Sequence, residues 1–293
     1  MTPPTRQCVS DTAAKKPRQQ SVVKSPYHCA FPGVADPGAH PRIPPLKRPK
    51  LLLQSLAKRA FRSAGLEVQR LRGAVSEEAI LRNVLRLTSP VALLDVGANV
   101  GQYARSVREL GFRGRIISFE PLSGAYAALS SAAHHDPGWV IAPRAALGRA
   151  RGSATLNISQ NAVSSSLLPM QSRVVVAAPA AGYVGTEAVS VYRLDELAQP
   201  LVPSTGRLML KIDTQGYERE VLGGATGLIE RIAALQVELS LVQLYAGAPS
   251  LGTMVSYIED LGFEPFGLAA GFKDPGSGRQ LQAEGFFVRP TFA

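Results

Sequence analysis

The stretch Val91-Ala92-Leu93-Leu94-Asp95-Val96-Gly97-Ala98-Asn99-Val100-Gly101-Gln102 joins an apolar run, an acid and a glycine-bearing turn to the start of a helical pattern. The next apolar run, Ile116-Ile117-Ser118-Phe119, closes on Glu120. A buried strand, a glycine turn opening a helix and an acid at the tip of the following strand are how open α/β sheets hold an adenine nucleoside. The dinucleotide fingerprint Gly-x-Gly-x-x-Gly needs a third glycine, and this chain has Gln102 and Tyr103 there instead. Gly97 and Gly101 supply positive φ and close backbone approach, and Asn99 is among the few other residues that tolerate such a conformation. The ligand therefore need not carry phosphates, and the spacing leans towards S-adenosylmethionine. Its expected contacts are Asp95, Gly97, Asn99, Gly101 and Glu120, the last accepting both ribose hydroxyls as a bidentate carboxylate.

From Val91 onward strands and helices alternate, which predicts an α/β fold with a largely parallel sheet and helices on both faces. Strands are expected at 91–96, 115–119, 139–142, 153–158, 189–193, 208–213 and 234–240. Helices are expected at 102–110, 123–133, 194–198, 217–231 and 250–261. Two last strands, near 263–268 and 284–289, read as a closing antiparallel hairpin. The Ser-rich stretch 159–188 reads as a long loop suited to a substrate lid.

Ligands of open α/β sheets gather at the carboxyl ends of the strands, so the residues closing strands 208–213 and 234–240 are the candidates for chemistry. Lys211 and Asp213 share one face by the period of two, and Glu238 closes the neighbouring strand. A lysine and two acids inside apolar strands are costly to bury unless they compensate one another. No histidine falls in this region, so a hydroxyl that loses its proton here loses it to a carboxylate, Asp213 first and Glu238 second. Oxygen ligands at Asp213 and Glu218 would suit Mg²⁺, but these acids form no compact motif and no metal site is expected.

The chain has 293 residues and a net charge of +10, unevenly placed. Residues 1–50 carry nine Lys/Arg against Asp11 and Asp36, and ten of the 22 prolines, with no periodic apolar pattern. They read as a disordered basic head. Residues 51–88 read as N-terminal helices and 89–293 as the catalytic domain. Between 51 and 71, Leu52, Leu53, Leu56, Ala60, Phe61 and Ala64 recur at helical spacing opposite Lys58, Arg59 and Arg62. Such a basic amphipathic helix lies on a membrane surface or docks on its own domain. A second helix, from Ser76 to about Leu87, opens with an N-cap and two acids. No apolar run reaches the ~20 residues that span a bilayer, and no signal peptide is read at the N-terminus. Both cysteines, Cys8 and Cys29, fall in the head. A reducing, cytoplasmic setting is expected, with residues 42–71 offering a peripheral contact to the inner face of the membrane. The sequence leaves the oligomeric state open.

Asp95-Val-Gly-Ala-Asn-Val-Gly101, Phe119-Glu120-Pro121, Ala146-Leu147-Gly148, the serines 164–166, Leu194-Asp195-Glu196-Leu197, Leu210-Lys211-Ile212-Asp213-x-x-Gly216-x-Glu218, Val221-Leu222-x-Gly224 and Val237-Glu238 together resemble the FkbM family of S-adenosylmethionine-dependent methyltransferases. The resemblance is close over about 91–240 and looser over 241–289. It implies a Rossmann-like class I methyltransferase, with a seven-stranded mostly parallel sheet, that methylates hydroxyl oxygens, often on sugars or natural products. Gln215 departs from the Glu common before that glycine, which removes one carboxylate that a metal would use. The implied mechanism is in-line displacement governed by proximity and alignment. Asp213 would orient and deprotonate the hydroxyl while Lys211 and Glu238 fix its geometry and charge. The basic helix suits a lipid-linked sugar, and a deoxyhexose on a cell-envelope glycolipid or a natural product is the expected acceptor. No nucleic-acid substrate is expected, since Asp213-Thr214-Gln215-Gly216 stands where amine-methylating enzymes carry Asn/Asp-Pro-Pro-aromatic. Two alternatives remain at this level: an NAD(P)-dependent oxidoreductase, and a non-catalytic cofactor-binding protein acting through its basic head.

Overall fold

The computed structural model of the chain describes residues 76–292. The expected head, 1–50, and the helix expected at 51–71 lie outside the described residues, as does the proposed membrane contact at 42–71.

The described part opens with α1 (Glu77–Thr88), whose N-cap Ser76 accepts from the Ala79 N–H, with Glu77 and Glu78 in the first turn. Then follow β1 (Ala92–Val96), α2 (Gln102–Glu109), β2 (Arg115–Phe119), α3 (Ser123–Ala133), β3 (Trp139–Ile141), β4 (Ala146–Leu147), β5 (Gly152–Ser159), α4 (Ser172–Ala177) and β6 (Tyr183–Tyr192). The chain continues through α5 (Leu194–Ala198), β7 (Leu208–Ile212), α6 (Glu218–Gly223), β8 (Ile232–Ser240), α7 (Leu251–Asp260), β9 (Glu264–Ala270) and β10 (Gln282–Val288). Seven strands form one sheet in the order β3-β2-β1-β7-β8-β10-β9. All its pairings are parallel except those of β10, which runs antiparallel to β8 and β9. This is the doubly wound, Rossmann-like class I arrangement that the alternating pattern predicts, with its closing hairpin at the expected edge.

The period of two along the strands sorts the core into two layers. Leu94, Ile117, Leu210, Leu235 and Phe287 face one layer with Leu194, Leu222, Met254 and Ile258 from α5, α6 and α7. Their chain neighbours Leu93, Ile116, Met209, Ala234 and Phe286 face the other with Ile80, Val84, Val107 and Leu129 from α1, α2 and α3. Burying one such Leu or Ile side chain stabilises the fold by about 1.5–3 kcal/mol, which leaves a charged side chain in these strands needing a partner nearby. Among the described residues no helix is long and apolar enough to cross a membrane.

Three segments differ from the sequence reading. The loop expected at 159–188 is largely ordered: β5 extends to Ser159, α4 follows, and β6 begins at Tyr183. The early half of β6 escapes a hydrophobicity search because Val184, Gly185 and Thr186 face solvent. Together β4, β6 and β5 form a separate three-stranded sheet. The helix expected at 217–231 is instead the short α6, a turn, and a 3-10 turn at Ile229–Arg231. Gly224 ends it: a Cβ there would sit 2.1 Å from the Gly148 carbonyl oxygen, an approach that only glycine permits. As a result β8 starts at Ile232, two residues before the expected 234.

Candidate functional site

The turn between β1 and α2 is held by backbone geometry that its sequence demands. Gly97, Asn99 and Gly101 all have positive φ, at 75°, 48° and 85°. A Cβ on Gly97 would lie 1.9 Å from the Asp213 carbonyl oxygen, and one on Gly101 would strike the Trp139 ring at 2.6 Å. The Gly97 and Ala98 N–H groups both donate to the Phe119 carbonyl at 3.1 Å, stitching the turn to the end of β2. Glu120, just beyond that end, accepts from the Asn99 N–H at 2.8 Å through Oε2 and from the Leu122 N–H at 2.9 Å through Oε1. Each of its oxygens keeps a lone pair for a further donor. Burial pushes the Glu120 carboxyl up to about 7, against the pull of those two N–H groups.

Gly97, Asn99 and Glu120 line a cavity, open to solvent, whose other walls include Leu147, Leu156 and Tyr217. Among the described residues no Lys or Arg lines it, so a pyrophosphate would find no cation. A doubly anchored carboxylate and apolar walls, with no cation in the lining, fit a nucleoside that carries no phosphate. Asp95 and Gly101 do not line this cavity. Asp95 is wholly buried, with its Oδ2 accepting from the Ser118 hydroxyl at 3.2 Å and its Oδ1 lying 3.6 Å from Lys211 Nζ. Gly101 shapes the start of α2 from below the turn.

The expected strand-end cluster assembles around Lys211. Its Nζ lies 3.4 Å from Asp213 Oδ2 and over the Tyr103 ring at 5.1 Å from the centroid. Burial alone would drive the ammonium towards neutrality, but the charges of Asp213 and Asp95, then Glu284 and Glu238, outweigh it and raise its pKa. Asp213 reaches the surface of the cavity with a third of its side chain exposed. Gln215 joins the two expected carboxylates: its Nε2 donates to Asp213 Oδ1 at 2.8 Å and to Glu238 Oε2 at 2.9 Å. The Tyr245 hydroxyl donates to Gln215 Oε1. Burial, then the charges of Asp213, Glu218 and Glu284, lift the Glu238 pKa far above the carboxylate range. Lys211 does not line this cavity and touches its wall through the ion pair with Asp213.

Glu218 is occupied elsewhere. Its Oε1 accepts from the Thr214 and Gly216 N–H groups at 2.9 and 3.0 Å and from the Thr214 hydroxyl at 3.2 Å. It braces the 213–217 turn. The serine run serves the same turn from the other side, since the Ser166 hydroxyl donates to the Gln215 carbonyl at 2.8 Å.

A second cavity lies on the far side of Asp213 and Gln215, which line both. Glu238, Tyr245 and Gln282 line the second alone. Sequence reasoning missed Tyr245, Gln282 and Glu284. Glu284 stands opposite Glu238 in the β8–β10 register, and only that register brings it close. Gln215 was in view as a departure from a pattern, but not as the bridge between two carboxylates.

The protein-family model of the methyltransferase FkbM domain matches residues 95–265. No curated protein matches the chain in sequence. Among solved structures, the precorrin-6y C5,15-methyltransferase from Geobacter metallireducens GS-15 is 12% identical with a TM-score of 0.37, over 72% of this chain and 87% of that one. Fibrillarin from Aeropyrum pernix, in complex with natively bound S-adenosyl-L-methionine, is 13% identical with a TM-score of 0.40, over 70% of this chain and 73% of that one. Likeness at this level says nothing of substrate.

Proposed function

Because the chain belongs to the FkbM methyltransferase family and is S-adenosylmethionine-dependent, we propose that it methylates a hydroxyl oxygen of an acceptor seated in the second cavity, with Asp213 as the base. The observation that carries this reading is the position of Asp213 on the wall shared by the two cavities. Bound in the first cavity, the cofactor would supply an electrophilic sulfonium methyl. Glu120 and the Asn99 turn would hold its ribose, and Gly97 lets the turn pack against the Asp213 carbonyl. Asp213 would take the proton of the acceptor hydroxyl as its oxygen forms the bond to the methyl carbon and the methyl–sulfur bond breaks, the sulfur leaving as the thioether of S-adenosylhomocysteine. Lys211 on one carboxylate oxygen and Gln215 on the other fix its direction, which is where most of the acceleration in such a transfer arises. Ser165, Ser166 and Leu167 line the first cavity. Family membership sets aside the nicotinamide-dependent alternative.

The acceptor we favour is a sugar hydroxyl, a deoxyhexose of a cell-envelope glycolipid or a glycosylated natural product. Methyl-ether analysis by mass spectrometry of envelope glycolipids and secreted products, from cells with and without the gene, tests this. One O-methyl sugar absent from the deletion strain is the expected result. Loss of a nitrogen-linked or carbon-linked methyl group instead contradicts hydroxyl transfer.

A further inference from the structure

Gln282 is a buried polar residue that neither the fold nor the proposed transfer employs. It opens β10, is 4% exposed and lines the second cavity, yet its Nε2 has no hydrogen-bond partner. Its backbone, by contrast, is fully engaged. The Gln282 N–H donates to the Phe272 carbonyl, and its own carbonyl accepts from the Gly271 N–H at 3.1 Å and from Gln280 Nε2 at 3.0 Å. The main chain thus holds in place a side chain whose donor is left unmet. Buried donors are nearly always satisfied, and an exception calls for a partner that arrives later.

The surrounding wall defines that partner. Val174, Leu244 and Phe272 give it an apolar side, and Asp213 and Glu238 give it an acidic one. Glu238, with its raised pKa, offers this cavity a neutral acid, and among the described residues no Lys or Arg lines it, so a carboxylate or phosphate brought inside would face the Asp213 carboxylate with no cation in the lining to pair with. A ring with one C–H face and several hydroxyls satisfies both sides.

We infer that Gln282 is an acceptor-binding residue whose side-chain N–H donates to an acceptor oxygen other than the reacting hydroxyl, and that the part of the acceptor inside the cavity is an uncharged polyol. The inference rests on the hydroxyl-methylation reading above. It assigns specificity to a residue outside the cofactor turn and the strand-end cluster.

Saturation-transfer difference NMR on the full chain loaded with S-adenosylhomocysteine tests it, with methyl α-rhamnopyranoside as the neutral probe and a methyl glucuronide as the anionic one. The expected result is transfer to the rhamnoside ring protons and none to the glucuronide. In Gln282→Met, which keeps the volume and removes the donor, the rhamnoside signal should fall about tenfold or more. Affinity for S-adenosylhomocysteine should stay unchanged and thermal stability should not drop, because an unpaired buried donor has been removed. No rhamnoside signal with the unsubstituted chain, an equal signal in Gln282→Met, or a stronger signal from the glucuronide overturns the inference. A rhamnoside signal that depends on Gln282 while cells lacking the gene lose no methyl ether upholds the binding site and refutes hydroxyl transfer.

Discussion

Glu120 shows how one side chain is made ready for a ligand before the ligand arrives. Both of its oxygens are already anchored by backbone N–H groups, so the remaining lone pairs are aimed without loss of side-chain entropy on binding. Because burial raises its pKa from 4.5 to about 7, the free site still carries a proton in much of its population at neutral pH. Two ribose hydroxyls that donate to a carboxylate must expel that proton. Affinity for S-adenosylhomocysteine is therefore expected to fall as pH drops below about 7, by up to tenfold per unit, and to level off above it. Calorimetry across this range checks the sign. In Glu120→Gln the pH dependence should vanish and affinity should fall at least about tenfold, a single charge-assisted hydrogen bond being worth about 1.5–3 kcal/mol. The amide would also set an NH₂ group against one of two fixed N–H donors. The acid itself was legible in the sequence because it stands at a strand tip after an apolar run. Its double anchoring was not, since that depends on where the turn one strand over places the Asn99 N–H.

The turn from Val96 to Gly101 is the element on which the first cavity depends, and its two constraints can be separated. Gly97 combines positive φ with a backbone contact, whereas Gly111 has φ 95° and nothing within 4 Å of its missing Cβ. Gly111→Ala should cost only the strain of the left-handed conformation, about 1 kcal/mol. Gly97→Ala must in addition push the Asp213 carbonyl away, and is expected to lower thermal stability further and to lose S-adenosylhomocysteine binding. Parallel melting curves and binding isotherms of the two variants decide this, and equal behaviour of the pair would show that the close approach to Asp213 is unimportant. The β1 turn was readable because glycine and asparagine are rare choices with a conformational reason. The brevity of α6 was not, because Gly224 ends the helix through contact with the Gly148 carbonyl, 76 residues earlier in the chain. The ordered content of 159–188 was hidden for a related reason. Its strand β6 pairs with β5 and leaves much of one side to solvent, so the apolar alternation that marks a strand is weak.

At the scale of the whole molecule, the sheet order does what no single motif does. Placing β7 between β1 and β8 puts Asp213 beside the cofactor turn on one side and Glu238 on the other. Placing the reversed β10 next to β8 brings Gln282 and Glu284 to the same edge. The first of these juxtapositions follows from alternation and the carboxyl-end rule, and Asp213, Lys211 and Glu238 could be named from sequence on that basis. The second needs the register of an antiparallel hairpin, which a one-residue shift would reverse. The two cavities then share one carboxylate, and the proposed hydroxyl methylation rests on it. Methyl-tritiated S-adenosylmethionine, the purified chain and an envelope extract from cells lacking the gene test that dependence directly. With Asp213→Asn, label transfer should fall by about 10²–10⁴-fold, the usual worth of a positioned base, while S-adenosylhomocysteine binding stays within a few-fold of the unsubstituted chain. Transfer that survives this substitution at close to its original rate, with cofactor binding intact, would contradict the assignment of Asp213 as the base.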